Sequence, residues 1–415
     1  MALIVQKFGG TSVADAERIR NVSRIITDAW KAGNQVVAVL SAQGDTTDDL
    51  IEKAAEINPH PSKREMDMLL ATGEQQSIAL CAMCIQSMGF PVVSLTGWQI
   101  GMRTSTAYGN ARIKRVVGTR IQEELGQGKI VLVAGFQGIN RYNDITTLGR
   151  GGSDTSAVAL AATLRADLCQ IYTDVDGVFT ADPRIVPESH QLEEITFDEM
   201  LELATLGAQV LHDRSVEMAK KYHVNLEVLS SFSGRPGTKV KEVVTKMEKS
   251  HVSSVTKDKN VARLALVGLP NEPGIAFKIF SLLANASVNV DIILQSIGRG
   301  EEKDISFTVA KSDLELAQHI LEENKSAIGF DDIQVSDNVA KVSIVGAGMA
   351  NNPGVAARMF EALYTAGINI NMISTSEIKV SVLVNSDDAD RAVKAIHQLF
   401  FSDVMLYEQQ QQQQQ

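Results

Sequence analysis

The chain has 415 residues, more than one hydrophobic core usually holds, so two or three domains are expected. Hydrophobic residues at 44% and charged residues at 21% describe an ordinary globular protein. No run approaches the roughly eighteen uninterrupted apolar residues of a membrane span, and no basic segment leads into an apolar core at the start, so a cytoplasmic protein with no membrane partner is expected. A net charge of −11 without a basic face speaks against a nucleic-acid partner, and an anionic ligand would need positive charge gathered locally.

In chain order, "IVQKFGGTSV" (4 to 13) comes first, an apolar strand running into Lys7, two glycines, Thr11 and Ser12. It reads either as a tight turn with a solvated lysine or as an anion site, in which Gly9 and Gly10 expose amides and Lys7 adds a point charge. The residues alone leave both readings open. "QVVAVLSA" (35 to 42), "PVVSLTG" (91 to 97), "KIVLVAGF" (129 to 136) and "LCQIYTDV" (168 to 175) read as buried strands with amphipathic segments between them. That alternation predicts an α/β fold, a largely parallel sheet covered by helices on both faces, with ligands at the carboxyl ends of the strands. The loops to watch are therefore "KFGG", "SAQGDTTD", "GFQGIN" and "TDVDG". Cys81 and Cys84 form a C-x-x-C inside an apolar helical stretch, and with no second pair or nearby histidine they read as core packing; with Cys169 they make three cysteines that cannot all pair and are expected to be reduced.

"LGRGGSDTSA" (148 to 157) sets Arg150, Gly151, Gly152, Ser153 and Asp154 ahead of an alanine-rich helix. It reads as an anion-holding helix start, or as a flexible loop capped by Ser153 or Asp154. "YTDVDGVFTADPRIVP" (172 to 187) offers Thr173 and Asp174 after a strand, then Asp182, Pro183 and Arg184 in a turn. That pattern fits a nucleotide loop or a surface turn equally.

Residues 234 to 260 are turn-rich and then charged, marking a domain boundary. Beyond it "NVARLALVG" (260 to 268) recurs as "NVAKVSIVG" (338 to 346), and "NEPGIAFKIFSLLANASVNV" (271 to 290) recurs as "NNPGVAARMFEALYTAGINI" (351 to 370). Each copy reads as a βαββαβ unit, a ferredoxin-like α+β fold. The second copy lacks a closing strand, and "HVSSVTKDKN" (251 to 260) resembles the strand that closes the first, so 251 to 257 is expected to complete the second copy. The glutamine run 409 to 415 is read as a disordered or artificial tail.

No Walker A loop, protein-kinase loop set, metal-binding histidine pair or nucleophile elbow is present, and "VGAGMANNPG" (345 to 354) lacks the third glycine of a dinucleotide loop. Taken together, "KFGGTSV", "LSAQGDTTDDL", "LLATGEQQS", "GRGGSDTSA", "TDVDGVFTADPR" and "SSFSGRPGT" resemble the aspartate kinase family, in family order, over Met1 to about Phe400. The resemblance implies an amino-acid-kinase catalytic domain (1–245), two ACT regulatory domains (262–337 and 338–402) and a tail (403–415).

It also implies transfer of the γ-phosphoryl of ATP to the side-chain carboxylate of L-aspartate, giving 4-phospho-L-aspartate, the first step toward lysine, threonine and methionine. The acceptor is already ionised, so positioning and positive charge, not a general base, should carry catalysis. By resemblance Lys7 supplies that charge, with Phe8, Gly9 and Gly10 beside the phosphates. Thr173, Asp174 and the turn Phe179, Thr180, Ala181, Asp182, Pro183 and Arg184 bind the nucleotide. Mg2+ bridges ATP oxygens without an assigned protein ligand. Arg150 clamps a carboxylate of the substrate, Glu74 accepts its ammonium, Ser41, Thr47 and Ser153 add hydrogen bonds beside Gly151 and Gly152, and Asp154 orients Lys7. Two positions depart from the family pattern: Gln43 where many relatives have methionine, and Gln209 where many have a lysine. His212 is expected to be structural.

The paired domains resemble amino-acid sensors, which implies lysine, threonine or both as effectors. Asn271, Glu272, Pro273, Gly274, Ile275 and Ala276, with Val355 and Ala356 in the second copy, form helix starts that would hold an effector carboxylate. Asp291 and Glu377 are candidate ammonium partners, with Asn289, Val290, Gln295, Asn369, Ile370 and Ser376 beside them. The alternative is that the Pro-Gly pairs only turn the chain. Exposed sheet edges favour a homo-oligomer through these domains, and Met247 could start a shorter regulatory subunit. Two rival readings are a kinase of the same fold acting on glutamate or acetylglutamate, and a catalytically dead amino-acid sensor.

Overall fold

The computed structural model describes residues 1–207, 210–244, 252–296, 302–347, 349, 352 and 354–412, with side chains to residue 402. It divides into two units, Met1–Phe179 with His190–Met247, and Thr180–Ser189 with Glu248–Gln415.

The first unit holds strands β1 (Leu3–Phe8), β2 (Gln35–Leu40), β3 (Val92–Leu95), β4 (Met102–Thr104), β5 (Ile113–Val116), β6 (Ile130–Ala134), β7 (Gln137–Ile139), β8 (Ile145–Thr147), β9 (Leu168–Thr173), β10 (Glu194–Thr196), β11 (Leu226–Ser230) and β12 (Thr238–Lys241). Its helices are α1 (Ala16–Lys31), α2 (Thr46–Ile57), α3 (Lys63–Ser87), α4 (Thr119–Gly126), α5 (Gly152–Leu164), α6 (Phe197–Thr205) and α7 (Asp213–Tyr222). Eight strands form one sheet in the order β10-β12-β11-β9-β1-β2-β6-β3, parallel throughout except between β11 and β12.

β2 from Val36 to Leu40 and β6 throughout are continuous apolar runs, fully buried because both faces are covered. Val36, Ala38 and Leu40 of β2 pack with Ile26 of α1 and Ile78, Cys81 and Ile85 of α3. On the other side lies α5, whose residues Gly152–Ala161 are all buried. α3 is long and apolar enough to cross a membrane by length and composition, yet it carries buried Asp67, Glu74 and Ser77 and lies against this sheet as a core helix.

A second sheet, β5-β4-β7-β8, is absent from the sequence prediction. Its strands are three or four residues long and paired mostly by single short ladders, too short to show an alternating pattern.

The second unit contains β13 (Ser254–Asp258), β14 (Ala262–Pro270), α8 (Ile275–Asn285), β15 (Val290–Gln295), β16 (Glu302–Val309), α9 (Leu314–Glu323), α10 (Lys325–Ile328), β17 (Asp332–Ser336), β18 (Val339–Val345), α11 (Val355–Thr365), β19 (Met372–Thr375), β20 (Lys379–Asn385) and α12 (Ala389–Gln412). Its two sheets, β15-β16-β14-β17 and β19-β20-β18-β13, have equivalent orders. β13 pairs antiparallel with β18, Ser254 opposite Val345, so the strand that completes the second repeat precedes the first.

Two boundaries differ from expectation. Thr180–Ser189, assigned from sequence to the 1–245 domain, packs in the second unit: Ala181 and Val186 are buried against Val252, Val255 and Val342, and the Thr180 hydroxyl lies 2.9 Å from His397 Nε2. The tail read as disordered continues α12 through Gln412, in keeping with the good helix propensity of glutamine. Residues 413–415 lie outside the described residues.

Candidate active site

A cavity of about 290 Å3 opens where β1, β2 and β6 end and α5 begins. Eleven of the residues proposed from sequence line it: Lys7, Gly9, Gly10, Ser41, Thr47, Glu74, Arg150, Gly151, Gly152, Ser153 and Asp154. Separated by up to 147 positions in the chain, they meet because parallel strands deliver their carboxyl ends to one edge.

Lys7 is the penultimate residue of β1, in register with Val39 of β2 and Ile171 of β9. Its side chain is only 12% exposed, and its ammonium lies 2.7 Å from Oδ1 of Asp154, a residue of the first turn of α5. The carboxylate thus holds the cation at the mouth of a helix whose positive end faces the same space. The turn before α5 depends on Gly151, which sits at φ +64°, and a Cβ there would fall 2.2 Å from the His212 ring. His212 itself caps α7, accepting from the Arg214 N–H at 3.4 Å, a structural role.

Glu74 is brought in by α3. A Cβ on Gly73 would come within 2.8 Å of the Ala42 Cβ, so this glycine lets the helix lie against the loop after β2. Glu74 Oε1 then accepts the Ala42 N–H at 3.1 Å. Its other oxygen is buried and has no hydrogen-bond partner among the described residues. Burial pushes the Glu74 carboxyl up to about 7, against the pull of the Ala42 amide. A buried carboxylate with one open valence is the arrangement an incoming ammonium would satisfy. Arg150 lines the same cavity, exposed and in no ion pair among the described residues, its fork available for a carboxylate.

Other residues assigned from sequence lie outside this cavity or have side chains engaged elsewhere. The Phe8 side chain is fully buried and its ring stacks on Tyr172 at 4.7 Å, so the ring is a core packing group. The Gly9 amide donates to Tyr172 O at 3.4 Å, which commits one of the two expected phosphate donors. Thr173 ends β9 and Asp174 follows it, both outside the cavity lining, and the Thr173 hydroxyl donates to Asp174 Oδ1 at 3.1 Å. Phe179 bridges Gln191 in the first unit. Thr180 and Ala181 are buried in the second unit, Pro183 is exposed, and Arg184 donates through Nε and Nη2 to both oxygens of Asp182. Gln209 lies outside the described residues.

Four lining residues were missed: Ala42, Gly44, Phe136 and Gly149. All fall in or beside loops flagged as strand ends, but nothing in their identity marks them. Phe136 takes φ +66°, uncommon for a side chain of that size, and is held by donating its N–H to Ser156 Oγ at 3.1 Å and accepting from Leu148 N at 2.8 Å.

In the repeats, Gly274 and Gly354 both take positive φ before α8 and α11. Ile275 and Val355 are buried in the repeat cores, so their side chains are packing groups. Asn271, Glu272, Pro273, Ala276, Asn289, Gln295, Asn369, Ser376 and Glu377 are exposed, while Val290, Ala356 and Ile370 are half-buried. Asp291 is already ion-paired with Lys341 of the second repeat, so it is not a free ammonium partner in this conformation. Pro353 lies outside the described residues. The three cysteines are free thiols; burial raises the pKa of Cys81 to about 12 and shifts Cys169 upward as well, so both are inert packing residues.

The amino acid kinase family profile matches residues 2–230, and an ACT domain profile matches 264–324 and 342–400. An aspartokinase of Bacillus sp. (strain MGA3) is 52% identical over 96% of this chain and 97% of its own length. The crystal structure of E. coli aspartokinase III in complex with aspartate and ADP superposes with a TM-score of 0.81 at 26% identity, covering 96% of this chain and 100% of that one. The same enzyme in complex with lysine and aspartate gives 0.76 at 26% identity, covering 96% and 99%. The chain belongs to the aspartokinase family, phosphotransferases with an amino-acid-kinase domain followed by paired ACT domains.

Proposed function

We propose that the chain transfers the γ-phosphoryl of ATP to the side-chain carboxylate of L-aspartate. A carboxylate oxygen attacks the γ-phosphorus, the bond from phosphorus to the β,γ-bridging oxygen breaks, and its electron pair leaves on ADP. The observation that carries this reading is the convergence of Lys7, the open oxygen of Glu74 and the unpaired Arg150 on one cavity.

Two anions must meet here, and Lys7 together with the α5 N-terminus supplies the charge that lets them. Asp154 keeps the ammonium in place without facing the phosphates itself. Glu74 takes the substrate ammonium and Arg150 the α-carboxylate, which leaves the side-chain carboxylate toward Lys7. Of the two glycines, Gly10 is the phosphate donor. Magnesium would bridge the nucleotide oxygens, with no protein ligand assigned to it.

The ACT pair would make the enzyme sensitive to an amino acid, lysine or threonine. A neighbour with lysine bound and the exposed residues 271–274 that lead into α8 support that reading. A hydroxamate assay with ATP, magnesium and L-aspartate, L-glutamate or acetylglutamate tests the central reading. Acyl phosphate with aspartate alone is expected; product with another acid only, or with none, would overturn it.

A further inference from the structure

Asp67 lies on α3 seven residues before Glu74, and nothing above gives it a task. It is 1% exposed and both oxygens are fully engaged. Oδ1 accepts the Thr147 hydroxyl at 2.7 Å and the Gly109 N–H at 3.0 Å; Oδ2 accepts the Thr147 N–H and shares the Gly109 N–H, each at 3.0 Å. Thr147 ends β8, three residues before Arg150.

From α7 a cation grips the next residue. Arg214 Nη1 donates to Leu148 O at 2.6 Å and to Asn110 Oδ1 at 3.1 Å, and Nη2 donates to Ala111 O at 3.0 Å. Thr147 and Leu148, and the 109–111 segment beside them, are therefore held by a carboxylate on one helix and a guanidinium on another. Beyond this grip the chain turns at Gly149 (φ +77°) and presents Arg150. Seven residues of helix place Asp67 and Glu74 about 10 Å apart on one face. The helix that brings the ammonium acceptor thus also anchors the strand that brings the guanidinium.

We propose that Asp67 and Arg214 are positioning residues that set the distance between Arg150 and Glu74, and so the spacing of carboxylate and ammonium that the site accepts. This rests on the reading of Arg150 as the substrate clamp. Asp67→Asn keeps one acceptor and turns an NH2 group against the Thr147 or Gly109 amide, which should displace the loop. We expect aspartate KM to rise about tenfold, with ATP KM unchanged and kcat lowered less. Thr147→Val, which removes only the hydroxyl bond, should shift aspartate KM about threefold and serves if the first variant does not fold.

The deciding measurement is the double-mutant cycle with Arg150→Ala. If Asp67 acts through Arg150, either variant at 67 or 147 should change aspartate KM less than about twofold once Arg150 is gone. An equal effect in both backgrounds, or lowered thermal stability and kcat with unchanged KM, would overturn the proposal while leaving the clamp intact. An Arg150→Ala enzyme with unchanged aspartate KM would overturn the clamp, and the proposal with it.

Discussion

The cavity of the first unit and the paired repeats of the second handle charge in opposite ways. In the cavity, Glu74 keeps a buried oxygen without a hydrogen-bond partner and Arg150 is exposed without an ion-pair partner, among the described residues. In the repeats, the buried Lys341 is paired with Asp291 and lies 3.9 Å from Asp258, while Lys257 is paired with Asp390. Beside the Lys7–Asp154 pair the cavity keeps open charge where a zwitterionic substrate can satisfy it, whereas the paired charge of the repeats supports their packing. Substitutions in the first set should therefore cost activity, and in the second set stability.

The largest effect is expected at Lys7. Lys7→Met should lower kcat about a thousandfold with aspartate KM little changed, in steady-state assays, since the charge acts on the transferring group. Comparable loss in KM alone would place the lysine in ground-state binding. Next comes Glu74→Gln, for which aspartate KM should rise about 30-fold through the lost charged contact.

The same carboxylate gives the contrast a pH signature. Its folded pKa of about 7 lies above the unfolded value of 4.5, so the folded state holds the proton longer. Stability from this group is fully present below about pH 4.5 and is lost as pH rises through 7, a decline of about 2.5 kcal/mol between pH 5 and pH 8 that Glu74→Gln should abolish in denaturant titrations at those two values. Aspartate binding near pH 6.5 should release a proton, read as a dependence of calorimetric enthalpy on the buffer's ionisation heat.

The smallest effect on catalysis belongs to Lys341→Met, which should destabilise the second unit by about 1–2 kcal/mol while uninhibited kcat/KM stays within about twofold. A large loss of basal activity in that variant would break the contrast between the two regions.

What the sequence disclosed followed physical range. The central strands were legible because residues such as Val36–Leu40 must be apolar on both faces, and the lining loops because parallel strands end together. Repeat topology was legible from the recurrence of 260–268 at 338–346. Hidden were features set by distant partners. Ala181 and Val186 looked like part of a nucleotide turn, but their burial partners lie some 70 to 200 residues away. Asp67 reads as an ordinary helix charge until Thr147, 80 residues on, is seen to donate to it. Phe136 carries no mark of its positive φ.

The most direct test is a crystal structure with L-aspartate and a non-hydrolysable ATP analogue. The account predicts the Lys7 ammonium roughly 3 Å from a γ-phosphate oxygen and the substrate ammonium at the same range from Glu74 Oε2. Aspartate bound elsewhere, or Lys7 remaining on Asp154 with the phosphates out of its reach, would contradict it.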